Sequence, residues 1–218
     1  MMMPEMDGFQ SSNKINEDLN LEEIPYIFLT AQTDPEVIVK CFEMGVRDYI
    51  GIEEGKNKLV MQDLDLLVML NKSLFFLKHL WKEKNIEIKI HFNQPVINKG
   101  EPISLINSVL NNVFTNAIKF SYSGDKIDVN CRQEGNKIIL LIRDYGIGIP
   151  PEIVKDLFSI EKPTTRQGTN EETGTGFGMP LLKKLMEAFE GEVEVKSKDI
   201  ESFPDNHGTT LSLIFPKP

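Results

Sequence analysis

Apolar positions along the chain alternate between two periods. Within residues 103–121, Ile106, Val109, Leu110, Val113 and Ala117 recur at helical spacing, which predicts one helix with a buried stripe. Residues 66–84 carry Leu67, Leu70, Leu74, Leu77 and Trp81 at the same spacing, and Met179, Leu182, Leu185, Met186 and Phe189 predict a further helix ending at Gly191. Strand period governs the rest. Residues 86–92 alternate cleanly, residues 125–133 and 137–144 flank a Gly135-Asn136 turn as a hairpin, and two closing strands flank a polar turn at 205–208. Pro150-Pro151 opens a short helix that runs through Leu157-Phe158.

Residues 1–50 have an α/β rhythm of their own. An apolar run at 24–31 is followed by a helix that starts at Asp34-Pro35 and stops at Gly45, then by a short strand at 46–50. The charged, Gly-containing stretch 53–58 marks a boundary. Residues 159–176 hold almost no apolar side chain, and a segment that long without a core-facing pattern predicts a mobile loop or lid.

Composition narrows the class. A chain of 218 residues with 40% apolar and 26% charged residues is that of a soluble globular protein large enough for one domain plus a smaller unit. No apolar run approaches the roughly 20 residues of a membrane helix, and the start shows no secretory signal, so the expectation is a cytoplasmic protein with no membrane segment. A net charge of −9 argues against nucleic acid as a partner while leaving room for a nucleotide site built on local positive potential. Cys41 and Cys131 lie far apart in apolar or strand-like runs, as buried thiols do.

The candidate chemistry begins beside the 103–121 stripe. Asn112, Asn116 and Lys119 stack at spacings of four and three, so two amides and an ammonium share one space. Amide oxygens suit Mg²⁺ and lysine suits phosphoryl oxygens; the plainer alternative is a solvated polar face. Asp144 ends a predicted buried strand and precedes Gly146 and Gly148, a carboxylate able to accept from an exocyclic amine such as adenine N6. Gly174, Gly176, Phe177 and Gly178 lead into a helix whose N-terminus, with exposed glycine N–H groups, suits polyphosphate. No Gly-Lys-Ser/Thr follows, and no strand precedes, so neither a Walker loop nor a dinucleotide fingerprint is present.

Taken in order, Asn-x₃-Asn-x₂-Lys, Asp-x-Gly-x-Gly, Phe158, Gly-x-Gly-x-Gly and Gly208-Thr209-Thr210 resemble the ATP-binding catalytic domain of sensor histidine kinases. That domain belongs to a superfamily shared with gyrase, the heat-shock chaperone and mismatch-repair ATPases. The resemblance implies a two-layer α/β sandwich, a mixed sheet with helices on one face, over residues 65–218. It implies ATP and Mg²⁺ as cofactors, with Asn116 and Asn112 at the metal, Lys119 at phosphate, and Asp144 reading adenine with help from Thr209. Gly146 and Gly148 match the first glycine box, Phe158 the F box, and Gly174, Gly176 and Gly178 the second; Arg166 or Lys162 is placed to approach the γ-phosphate. Hydrolysing relatives carry a glutamate where this chain has Asn112, which cannot take a proton, so the resemblance favours phosphoryl transfer to histidine over attack by water.

Residues 1–52 resemble the second half of a response-regulator receiver, through residues 3–8 (MPEMDG), Thr30-Ala31 and Asp48-Tyr49. The family's phosphoacceptor aspartate would fall just ahead of Met1, and its lysine would fall at Ile52-Glu53, so the expectation is a partial receiver without acceptor activity, joined through a linker at 53–64. The family's phosphorylated histidine sits in a His-Glu box on a dimerising helical hairpin. His79, His91 and His207 lie outside any such box, so the expected partners are a histidine-containing hairpin or phosphotransfer protein and a response regulator, with autophosphorylation in cis not expected. The competing expectation is a non-catalytic nucleotide-binding interaction module from a truncated signalling protein.

Overall fold

A computed structural model describes residues 27–30, 48–51, 60–159, 161–162, 164–172, 174, 176 and 178–218. The chain divides into two compact units, Met1–Lys58 and Leu59–Pro218. In the first, strands β1 (Ile27–Thr30) and β2 (Asp48–Gly51) pair in parallel, Ile27 opposite Asp48. The remaining receiver-like features, residues 3–8, Ala31, the expected helix at 34–45 and Cys41, lie outside the described residues.

The second unit is built on one mixed five-stranded sheet ordered β4-β6-β7-β9-β8. Strands β6 (Lys126–Glu134) and β7 (Lys137–Asp144) form the predicted hairpin, and Gly135 at φ +56 supplies the turn conformation that a β-carbon disfavours. Strand β9 (Gly208–Pro216) adds antiparallel to β7, and β8 (Glu192–Lys198) to β9, while β4 (Glu87–Ile90) lies parallel to β6. Alternation sends Ile138, Leu140 and Ile142 of β7 and Leu211, Leu213 and Phe215 of β9 into one core. Asp144 shares the inward parity of Ile142 and is therefore buried at the strand's end.

Helices supply the other half of that core. Helices α1 (Leu66–Phe76) and α2 (Lys78–Glu83) replace the single helix expected over 66–84, breaking at Leu77. Asp65 caps α1, its side chain accepting from Leu67 N at 2.9 Å. The predicted 103–121 helix, α3, runs from Pro102–Ser104 through a π-helical stretch Leu105–Leu110 into Asn111–Phe120. Its whole apolar stripe is buried, Val109 and Leu110 completely. Helix α4 (Pro151–Asp156) follows the first glycine box, and α5 (Gly178–Ala188) buries Met179, Leu182 and Met186. A strand that the sequence pattern did not suggest, β5 (Ile97–Gly100), pairs antiparallel with β3 (Gln62–Asp65) as a separate two-stranded sheet.

Candidate nucleotide site

Helix α3 organises the site because its C-terminal half is touched by both glycine boxes. At the first box, Ile147 N donates to Phe120 O at 3.0 Å, and a Cβ on Gly146 would collide with that same carbonyl. Gly148, at φ +67, leaves no room for a Cβ against Lys198 O at the end of β8. Both glycines are thus places where one backbone lies directly on another. At the second box, a Cβ on Gly178 would stand 2.7 Å from Asn112 Oδ1, and one on Gly174 would stand 3.0 Å from Lys119 Nζ. Gly176 adopts φ +78, the left-handed conformation glycine reaches without strain; Phe177 lies outside the described residues.

The asparagines of α3 divide their work. Asn111 Oδ1 accepts from the buried Ser73 hydroxyl at 2.7 Å, tying α3 to α1. Asn112 Nδ2 donates to Ser108 O at 2.7 Å, which turns its carbonyl oxygen toward Gly178. Asn116, half-buried one turn on, makes no side-chain hydrogen bond among the described residues. Lys119 Nζ lies 4.9 Å over the Phe120 ring on the side where Gly174 stands.

Asp144 closes the other end. Its Oδ1 accepts from Gly146 N at 3.0 Å and from Thr209 N at 3.1 Å, and Oδ2 has no partner among the described residues. Burial pushes its carboxyl up to about 6, against the opposing pull of those two N–H bonds and of Arg143. Gly208, at φ +113, packs on Asp144 O, so the polar turn before β9 delivers the Thr209 N–H to the carboxylate.

Ser197, which the sequence did not single out, joins these parts. Its hydroxyl accepts from Ile149 N at 2.8 Å, lies 2.8 Å from Thr209 Oγ1 and lies 3.1 Å from Gly208 O. Described residues of the segment expected to be a mobile loop or lid contact the body. Arg166 Nη2 donates to Gly148 O at 2.6 Å and its guanidinium lies 4.9 Å over Phe120, while Thr169 N donates to Lys119 O at 3.1 Å. Burial pulls the Arg166 guanidinium down, opposed by Asp144 and Asp199. Lys162 lies apart from the cleft, 3.6 Å from Asp156 and well exposed. Phe158 packs partly against the core, with Lys183 Nζ 5.8 Å over its ring.

No group of three or more His, Cys, Asp or Glu side chains among the described residues could hold a metal. The amides of α3 fit a different donor set: the outward Asn112 oxygen and the unpaired Asn116 side chain suit a hard cation that completes its shell with phosphate oxygens and water. His79 is exposed on α2, His91 Nε2 lies 2.7 Å from Asp128, and His207 Nδ1 lies 2.6 Å from Gly146 O. Burial pushes the Cys131 thiol up to about 11, which disfavours the thiolate at neutral pH.

Comparison with known proteins identifies the family and the fold. The family described as histidine kinase-, DNA gyrase B-, and HSP90-like ATPase matches residues 101–218. The chain belongs to that family. It is 30% identical over 177 residues to hybrid signal transduction histidine kinase B of Dictyostelium discoideum, a match covering 78% of this chain and 9% of that protein. It is 26% identical over 159 residues to the autoinducer 2 sensor kinase/phosphatase LuxQ of Vibrio vulnificus, covering 70% of this chain and 19% of that one. The chain thus spans less than a fifth of the length of these curated relatives. Among solved structures, the mycobacterial sensor histidine kinase MprB superposes with a TM-score of 0.59 at 23% identity, covering 73% of this chain and 99% of that one. The catalytic domain of histidine kinase ThkA, in a nucleotide-free form, superposes at 0.58 with 19% identity, covering 72% and 95%. The α/β fold, with a mixed sheet and helices, is that of the histidine kinase ATPase domain. No helix among the described residues is long and apolar enough to cross a membrane.

Proposed function

We propose that residues 65–218 form the ATP-binding catalytic domain of a two-component histidine kinase, transferring the γ-phosphoryl group to a histidine supplied by a partner. The observation that carries this reading is the convergence on α3: Asn112 and Lys119 meet the second glycine box, and Phe120 meets the first, next to Asp144. Asp144 Oδ2 accepts from adenine N6, Thr209 supports that contact, and the glycines admit the ring and the phosphates. Lys119 neutralises phosphate charge, and Asn116 with Asn112 holds Mg²⁺. When bound, that cation draws charge from the β- and γ-phosphoryl oxygens.

In the transfer, a histidine ring nitrogen forms a bond to the γ-phosphorus as the bond from that phosphorus to the bridging oxygen breaks, and ADP leaves with the electron pair. Asn112 stands where hydrolysing relatives hold a glutamate, so no side chain at that position activates water. The partners are a histidine-bearing hairpin or phosphotransfer protein and, downstream of it, a response regulator. Residues 1–52 are proposed as a partial receiver-like unit that takes no part in the transfer.

The test incubates the full chain with γ-labelled ATP and Mg²⁺, alone and with a separately purified histidine-hairpin protein. Acid-labile label on the hairpin protein, with none on this chain, is the expected result. Nucleotide binding without transfer to any histidine partner, or steady ATP hydrolysis abolished by Asn112→Ala, overturns it.

A further inference from the structure

Lys84 is buried, its side chain only 4% exposed, at the end of α2, and is itself none of the positions assigned above. Its ammonium has three oxygen partners. It donates to Ile118 O at 3.0 Å and Lys119 O at 2.9 Å, carbonyls in the last turn of α3, and to Glu172 Oε1 in the lid at 2.6 Å. A cation at a helix C-terminus complements the partial negative charge of its free carbonyls. The carboxylate completes the set, so the ammonium retains a near-full complement of acceptors out of water. Burial pushes the Glu172 carboxyl up, but the Lys84 hydrogen bond and charge, with N–H donors including Asn170, outweigh it and leave the net displacement downward.

The lid meets the body at every third residue. Arg166 reaches Gly148 O and the Phe120 ring, Thr169 reaches Lys119 O and Ser121 O, and Glu172 reaches Lys84. A tight turn makes the last contact possible, with Gly168 N donating to Glu172 O at 2.9 Å and Asn170 N to Glu172 Oε2 at 2.8 Å. The first two contacts end on the C-terminal end of α3 or on the first glycine box, and the third reaches the same end of α3 through Lys84. The Lys119 carbonyl is held from two sides, by Lys84 and by Thr169, so seating the lid adds a second hold on the backbone that carries Lys119.

We propose that Lys84 and Glu172 form the catch of the lid, and that both act as positioning residues for the nucleotide site by holding residues 166–172 on the end of α3. The catch rests on the ATP-site reading for its consequence but not for its geometry. Opening the lid leaves a buried ammonium facing two carbonyls and no counter-charge, so the seated lid is the resting state. Nucleotide release requires the ion pair to part.

The test uses the full chain with Glu172→Gln, Glu172→Ala and Glu172→Asp, variants on the lid that leave α2 and α3 intact. Two readouts separate the catch from the nucleotide reading: trypsin cleavage within the lid of the nucleotide-free protein, and release of a fluorescent ADP analogue in stopped flow. Losing one charge-assisted hydrogen bond should speed both about tenfold in the Gln and Ala variants, with Asp partly restoring the wild-type rates. Unaltered lid cleavage and unaltered release in Glu172→Ala overturn the proposal. If the wild-type protein binds no nucleotide, the functional reading fails, and faster lid cleavage in the variants would still report the catch.

Discussion

Gly178 abuts the side-chain oxygen of Asn112, so close that a Cβ on the glycine would lie 2.7 Å from Asn112 Oδ1. The asparagine has little freedom to yield, because its Nδ2 is engaged by Ser108 O at 2.7 Å. The start of α5 and the Asn112 edge of α3 are therefore set against each other by the absence of one methyl group.

Gly178→Ala tests that contact. Alanine gains up to ~1 kcal/mol in helix propensity over glycine, so the variant should fold with a melting temperature close to wild type. Its methyl displaces either Asn112 or the second glycine box, and ATP affinity should fall by about tenfold, the usual effect of a ~1.4 kcal/mol disturbance. Isothermal titration with and without Mg²⁺ measures it, and unchanged affinity would remove Asn112 from the site.

Asp144 makes the site dependent on pH in a stated direction. Its carboxyl is raised to about 6 by burial, from an ordinary value of 3.8. A raised carboxyl favours the folded state fully below about pH 4, and that contribution is lost as pH climbs through about 6. At pH 7 the nucleotide-free fold thus bears an ionised, desolvated carboxylate at a cost on the order of 2–3 kcal/mol. Asp144→Asn keeps an oxygen for the Gly146 and Thr209 N–H groups but turns an amide donor toward the adenine amine. The expected outcome is a higher melting temperature at pH 7.5, no gain at pH 4, and loss of adenine nucleotide binding. In the wild type, affinity should weaken below pH 6 as Oδ2 gains a proton.

Much of this was legible in the sequence because the chemistry lies in short runs on elements with strong periodicity. Val109, Leu110, Val113 and Ala117 fixed the buried face of α3, and that face determined where Asn112, Asn116 and Lys119 had to point. The 126–144 hairpin carried Asp144 to a buried strand end by parity alone. Strand β5 was hidden by the polar residues Asn98 and Lys99, since a fully buried Asn98, whose Oδ1 has no hydrogen-bond partner among the described residues, runs against the polar-outside pattern. The π-helical stretch leaves no mark on the apolar spacing used to find helices. Lys84 and Glu172 could not be paired from spacing, being 88 positions apart, and Ser197 looks like any polar residue of a half-exposed strand.

Asp128 governs the acid limb of stability on the sheet face opposite the helices. Burial pushes its carboxyl up, yet hydrogen bonds from His91, Tyr145 and Lys126 outweigh that and lower it to about 2. A depressed carboxyl stabilises above about pH 4, and the contribution fades as pH falls through about 2. Asp128→Asn should cost ~1–2 kcal/mol at pH 7, since charge-assisted hydrogen bonds become neutral ones, and almost nothing at pH 2. Urea unfolding at the two pH values checks it; an equal loss at both would assign the effect to packing.

Ser197 carries the last test, because it joins the first glycine box to the Thr209 turn, at the end of the site proposed to read adenine. Its hydroxyl accepts from Ile149 N, the residue after Gly148, and meets Thr209 Oγ1 and Gly208 O. Ser197→Ala leaves the Ile149 N–H without its acceptor at a half-buried position, at a cost of ~1–3 kcal/mol. The first glycine box and the Thr209 turn then keep Asp144 Oδ1 as a shared acceptor but lose their second link, while α3 and the second box keep theirs. Adenine recognition should therefore suffer more than phosphate binding: affinity for ATP should fall several-fold, and the preference for ATP over GTP should narrow. Competition titrations with the two nucleotides decide it, since a purely structural role would weaken both equally and leave the preference intact.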